Sequence, residues 1–417
     1  MLAPAAKTAA MHIALFSDPR NFHCRKWGAA LAATGVQVTV YTLEPAAKPG
    51  ENFPYTVRSL GPSGNQAGQY RYAHYWFTRQ RLRAQLLADG ITLLHPLGLT
   101  PFGSWARWGN PGLPLVPAAM GADVLQYPPS GIPKPDRQWE NADHGLLRQW
   151  KSRLLNPWYR SQVRAVAQAA QYLTADNQAL RQALIDWFGV QPERVQLLRW
   201  GIEPSLYDAI SQESAAQTAR KLGLLPDRRL ILWPRGLLAV YQADLFLEAL
   251  RLWLPHCPDS HQVVVLGAGY PPGSRLAQLA QHLADTYPHC TYLPQSLSTP
   301  TMATLWKLTD ISVHIPNYDG YSSALAEARY TGAVLIVNAI AAHQELLTHR
   351  QHARYLADTH PKTIAEALGD TLSNLPDWQN RIRSNNRQWI LEHGTLQGAV
   401  QRFLARAERE LVSFSRR

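Results

Sequence analysis

Six residues in one short stretch could do chemistry together. "NYDGYSSALAEARYTG" occupies 317–332, between the apolar runs "ISVHIP" and "AVLIVN". Asp319 sits in the loop and can accept hydrogen bonds from sugar hydroxyls. Gly320 removes a Cβ where a ligand would approach the backbone. Ser322 or Ser323 can cap the helix that follows, and the amides of Tyr321, Ser322 and Ser323 are offered to an anion. Glu327, about one turn into that helix, carries a carboxylate that suits the two adjacent hydroxyls of a ribose. Two acids and a donor-rich turn fit a nucleotide sugar: diphosphate on the amides, ribose on Glu327, sugar on Asp319. Taken alone, the same residues also fit an ordinary βα loop with one exposed helix glutamate.

Such a loop must be carried at the carboxyl edge of a parallel sheet, where α/β folds bind ligands. The chain supplies the elements. "MHIALF", "RKWGAALAATG" and "VQVTVYT" read as strand, helix and strand, with "ITLLHP" and "LPLVPAA" as further strands. The stretch 126–160 is rich in Pro, Trp and Arg and less regular. A second alternation runs from "RRLILWPRG" through "YQADLFLEALRLWL", "QVVVLGAG", "RLAQLAQHLADTY", "CTYLP" and "ISVHIP". Strands alternating with helices twice over predict two Rossmann-like, doubly wound α/β domains. Their expected extents are 11–200 and 228–385, joined by a polar, strand-free linker at 201–227 and followed by a helix over 386–412.

Composition narrows the class. The chain has 417 residues and a net charge of +11. The charge is unevenly placed: residues 1–200 hold 21 Lys and Arg against 11 Asp and Glu, and the rest holds 20 against 19. A basic first half points to an anionic partner, although a merely soluble basic surface has the same composition. Three scattered cysteines form no metal or disulfide pattern. No apolar run is long enough for a membrane span, and the start lacks a secretory signal. The expectation is a cytoplasmic protein, able to attach to a membrane surface. "RYAHYWFTRQRLRAQLL" and "LLRQWKSRLLNPWYRSQVRAV" mix cations with aromatic rings, as interfacial helices do; ordinary amphipathic helices packed on their own sheet read the same way. No recognition helix or RNA-binding signature is present, so nucleic acid is not expected as a partner. The first strand turn, "FSDPRNFHC", has no GxGxxG, which argues against a dehydrogenase.

"DGYSSALAEARYTGAVLIVN" resembles the C-terminal signature of family 4 glycosyltransferases, in which a glutamate follows the first acid by eight positions. Asp319 stands where that family usually has glutamate. "LLHPLGLTPFG", "PLVPAAMGADVL" with Gly121–Asp123, "LTADNQALRQAL", "GVQPERVQLLRWGIEPSLY", "ILWPRGLLAVYQADLFLEAL" and "AAHQELL" with Glu345 are similar to the family's other segments, in the same order. The resemblance implies the GT-B fold: two Rossmann-like domains facing a central cleft, with the C-terminal helix, around Trp389, crossing back to the first domain. It implies a retaining, metal-independent hexosyltransferase in which domain closure assembles the site. Arg235, Asp319 and Glu327 would be catalytic, with Gly320, Tyr321, Ser322 and Ser323 binding the donor. The donor would be a nucleotide-diphosphate sugar, a UDP-sugar first, with its base near 293–306. No cofactor and no metal are expected, and the chain has no Asp-x-Asp.

Two departures stand out. The lysine that pairs with the arginine of the family's phosphate clamp falls near Tyr241, and a histidine found in many relatives is replaced by Met120. On the acceptor side the candidates are His23, Arg25, Lys26, His95 and Asp123. They would meet a lipid-linked, polysaccharide or other acidic acceptor. The same departures fit an alternative, a catalytically silent GT-B protein acting as a binding partner or scaffold.

Overall fold

The structure is a computed structural model that describes residues 11–45, 52–61, 72–125, 146–268, 270–271 and 273–416. The irregular stretch expected over 126–160 lies outside the described residues as far as 145. From Leu146 the chain is a helix to Ala169.

The chain forms two compact units. One is drawn from Met1–Lys134, His144–Trp200 and Leu396–Arg417, the other chiefly from Gly201–Thr395. In the first, β1 (His12–Phe16), β2 (Gln37–Thr42), β3 (Thr56–Ser59) and β4 (Leu93–Pro96) pair in parallel in the order β3-β2-β1-β4. Parallel bridges from Leu94 to Leu115 and from Leu97 to Ala118 carry the sheet on to β5 (Ala118–Ala119), β6 (Leu173–Ala175) and β7 (Val195–Leu197). Ile13 to Phe16 have no exposed surface. That explains why β1 reads as an unbroken apolar run: helices cover both faces of the sheet.

The second unit has one six-stranded parallel sheet. Its strands are β8 (Arg229–Trp233), β9 (His261–Leu266), β10 (Cys290–Leu293), β11 (Thr309–His314), β12 (Val334–Val337) and β13 (Arg354–Tyr355), in the order β10-β9-β8-β11-β12-β13. The winding direction reverses between β8 and β11, so the loops leaving these two strands diverge and leave a crevice at their carboxyl ends.

Two expected boundaries differ. The stretch 201–227 is not a bare linker: it holds helices Ser205–Asp208 and Gln212–Lys221, and Tyr207, Ala219 and Leu224 are buried in the core of the second unit. The helix expected over 386–412 is two helices, Leu375–His393 and Leu396–Ser415. Trp389 stays in the second unit, with the Arg329 guanidinium 4.2 Å over its ring. Phe403 and Ala407 are buried in the first unit, beside Trp27. The break comes at Gly394, where the carbonyl accepts from the Ile202 amide at 2.8 Å. A Cβ there would lie 2.8 Å from the Tyr321 hydroxyl, so the contact needs a glycine.

Candidate functional site

The crevice beyond β8 and β11 collects the residues singled out at 317–332. Arg235 follows β8 by two residues, and its guanidinium spans the loop after β11. Nη2 donates to Asp319 Oδ2 at 2.5 Å and Nη1 to Ser322 Oγ at 3.0 Å. The two charged side chains are 15% and 17% exposed, so the pair is largely desolvated yet reachable. Asp319 Oδ1 accepts from the Gly320 amide at 2.9 Å. Ser322, not Ser323, caps helix Ser323–Thr331, its Oγ accepting from the Leu325 amide at 3.3 Å. One hydroxyl thus closes the helix and receives the arginine. The Tyr321 side chain is packed against the core; its backbone is what the crevice can use.

Tyr241, at the expected lysine position, lies with its ring 4.1 Å from the Arg235 guanidinium carbon. The ring makes a cation–π contact that helps fix where the planar fork lies. It adds no second cation.

Glu327 is anchored rather than free-standing. Its Oε2 accepts from Trp306 Nε1 at 2.6 Å, and the buried Tyr207 hydroxyl also donates to it. Burial, and then the Glu327 charge, push the Tyr207 phenol well above its ordinary value, so it stays a donor. Trp306 belongs to the stretch expected near the base, on helix Thr299–Leu308 beyond β10. Tyr207 comes from the segment read as linker. Neither partner was visible in the spacing around 319–327.

Three buried polar side chains lie at the ends of the neighbouring strands. His314 closes β11, and its Nε2 meets Ser312 Oγ at 2.8 Å. Burial holds it neutral, with Arg235 and His343 adding to the effect. His343 Nδ1 contacts the Asn338 carbonyl at 2.9 Å, and Asn338 Nδ2 donates to the Pro316 carbonyl at 2.8 Å. Burial lowers the His343 pKa and Arg235 lowers it further, against the Asn338 carbonyl and Asp319. Single histidines within apolar runs gave the sequence reading no reason to single them out. The available signal was their place at the carboxyl end of β11 and on the short helix that follows β12.

The five residues expected to face an acceptor do not form one cluster. His23, Arg25 and Lys26 start helix Phe22–Ala32 beyond β1, each beside an aromatic ring: Trp200 at 6.1 Å, Phe53 at 5.3 Å and Phe22 at 5.5 Å. His23 and Arg25 are exposed. His95 is fully buried: its Nε2 accepts from Trp27 Nε1 at 3.0 Å, and its Nδ1 donates to the Val116 carbonyl at 2.5 Å. Burial takes its pKa down to about 4. With both nitrogens engaged inside the core it presents nothing to an acceptor, which corrects the expectation for that residue. Asp123 fastens two loops, Oδ2 accepting from the Leu99 amide at 2.6 Å and Oδ1 from the Met120 amide at 2.9 Å. Burial pushes its pKa up to about 6 despite those amides. The left-handed glycines Gly98 and Gly121, at φ 116° and 90°, turn the chain so that one carboxylate serves both loops. Among the described residues no three His, Cys, Asp or Glu side chains gather as metal ligands.

Residues 21–206 match Glycosyltransferase Family 4. The chain is 26% identical over 223 residues to a D-inositol 3-phosphate glycosyltransferase from Nocardioides sp. (strain ATCC BAA-499 / JS614), a match covering 50% of this chain and 47% of that protein. The chain thus spans about half the length of the curated relatives it matches. Sucrose-phosphate synthase from Thermosynechococcus elongatus has a similar structure, with a TM-score of 0.73 at 17% identity over 97% of this chain and 99% of that one. So does Anabaena HepE in complex with UDP-glucose, with a TM-score of 0.69 at 13% identity over 96% of this chain and 100% of that one. Strand order and these likenesses agree: the chain has the GT-B fold, and the Glycosyltransferase Family 4 match covers its residues 21–206.

Proposed function

We propose that the protein transfers a hexose, with retention, from a nucleotide-diphosphate sugar to a phosphorylated or otherwise acidic acceptor, lipid-linked or polysaccharide, at an anionic membrane surface. The observation that carries this reading is the Arg235–Asp319–Ser322 cluster at the reversal of strand order, with Glu327 held behind it by Trp306 and Tyr207. Arg235 offers a planar fork to two phosphate oxygens. It stabilises the charge that develops on the leaving diphosphate, and the amides of Tyr321 to Ser323 add to it. As the diphosphate takes Arg235, Asp319 is released to hold the sugar. Glu327, with one oxygen on Trp306, takes the ribose hydroxyls.

In the same-face reaction the leaving diphosphate receives the acceptor's proton, so the protein contributes position and charge and needs no metal. His23, Arg25 and Lys26 offer a basic face to the acceptor. A UDP-sugar is the first donor to try, since the structural relative HepE binds UDP-glucose, and the phosphate in the curated relatives' names supports an acidic acceptor.

The test is incubation with radiolabelled UDP-, GDP- and ADP-sugars. One donor should be transferred, or slowly hydrolysed, and Arg235→Ala should reduce that turnover by about a hundredfold or more. No turnover with any donor, or turnover indifferent to Arg235→Ala, would leave the second reading, a catalytically silent GT-B protein that binds a partner. Tyr241 motivates that second reading, because it gives the phosphate clamp a ring where a second positive charge is expected.

A further inference from the structure

Asn338 and His343 stand on the segment leaving β12, the strand beside β11. They are 9% and 2% exposed. The Asn338 carbonyl can only accept, so its contact with His343 puts the ring proton on Nδ1. His343 Nε2 is left as a bare lone pair, buried and without a hydrogen-bond partner. Asn338 spends its Nδ2 on the Pro316 carbonyl, and its Oδ1 is likewise buried without a partner. Two unmatched acceptors in one short segment are uncommon in a folded interior. Asn338 is tied through the Pro316 carbonyl to the start of the loop that carries Asp319, and the Arg235 and Asp319 charges both act on the His343 ring.

Whatever completes these acceptors must bring donors. The doubly esterified diphosphate of a nucleotide sugar, fully ionised at neutral pH, brings none. A ring of hydroxyls does. We propose that His343 Nε2 and Asn338 Oδ1 accept hydrogen bonds from hydroxyls of the transferred sugar and so set which sugar the protein takes. This rests on the donor reading above and divides the donor among the residues: diphosphate to Arg235, ribose to Glu327, glycosyl hydroxyls to Asp319 and this pair. Both acceptor atoms are buried in this structure, so the sugar reaches them only by displacing what covers them.

Calorimetry on the full chain tests the proposal. UDP-, GDP- and ADP-glucose identify the base. The matching free diphosphate, the glucose and galactose donors, and the 2-, 3-, 4- and 6-deoxyglucose donors are then titrated into the wild type, His343→Leu and His343→Gln. His343→Leu should bind the free diphosphate as the wild type does. It should bind the glucose donor about tenfold more weakly, the loss of one well-placed hydrogen bond, and discriminate less between glucose and galactose. His343→Gln, which restores an acceptor, should recover most of both. A merely structural role would move free-diphosphate binding as well.

If His343→Leu keeps its affinity for the glucose donor and its discrimination, the proposal falls while the donor reading stands. If no nucleotide or nucleotide sugar binds the wild type, both fall. If His343→Leu does not fold, the wild type decides: removal of at least one hydroxyl should weaken binding about tenfold, and indifference to every deoxy donor overturns the proposal.

Discussion

At the scale of single residues, the ion pair between Arg235 and Asp319 governs the site, because Asp319 occupies the cation that a diphosphate would need. Asp319→Asn keeps a hydrogen bond to Arg235 but removes the competing charge. Its expected signature is split: free nucleoside diphosphate binds several-fold more tightly, while transfer falls about a hundredfold for want of the sugar ligand. Weaker nucleotide binding by this variant would contradict the competition.

Buried titratable groups set the response to acid. His95 titrates at about 4 folded, against 6.5 free. Below pH 6.5 the unfolded chain therefore binds a proton that the folded chain refuses. Stability falls as the pH drops from 6.5 to about 4 and levels off below, by up to about 3 kcal/mol. His314 and His343 are lowered too and act in the same direction. Asp123 opposes them: raised to about 6 from 3.8, it contributes stability that is fully present below 3.8 and lost as the pH rises through 6. His95→Gln can accept from Trp27 and donate to Val116 without titrating. Urea midpoints at pH 7 and pH 5 should lie closer together in that variant than in the wild type; an unchanged gap would remove His95 from this account.

At the scale of elements, the decisive device is the pair of glycines at the two chain crossings, Gly201 and Gly394. Gly201 has φ 28°, and a Cβ on it would lie 2.2 Å from the Gly394 carbonyl oxygen. Neither backbone can yield easily, since Ile202 donates to the same carbonyl. Gly201→Ala should cost about 3 kcal/mol or more, readable as a fall in Tm. Gly35→Ala, also at positive φ (86°) but with nothing within 4 Å, should cost about 1 kcal/mol. Equal losses at the two positions would show that left-handed backbone alone, and not the close approach, dominates.

For the whole molecule, charge is more sharply divided than the sequence halves suggested, because residues 396–417, with five cations, belong to the first unit. Residues 1–200 and 396–417 carry 26 Lys and Arg against 13 Asp and Glu; residues 201–395 carry 15 against 17. The first unit also exposes Trp76, Phe77 and Trp158, with Arg79 3.9 Å over the Trp76 ring. No helix among the described residues is long and apolar enough to cross a membrane. The protein should sediment with vesicles containing phosphatidylglycerol and not with pure phosphatidylcholine. The binding should weaken with salt and fall about tenfold in Trp76→Ser/Phe77→Ser. Equal retention on both vesicle types, or none on either, would count against the surface.

The sequence by itself determined the α/β class, both sheets and the placing of Arg235, Asp319 and Ser322 at one sheet edge. Periodicity and loop composition are local properties, and in a parallel sheet they dictate which end of a strand a residue occupies. Only the tertiary structure decided that His95 is a core residue, that Tyr207 and Trp306 hold Glu327, and that the last helix splits at Gly394. It also decided that His343 and Asn338 carry unmatched acceptors. Each of these depends on burial or on partners distant in the chain, and hydrogen bonding between distant residues leaves no periodic trace in the sequence.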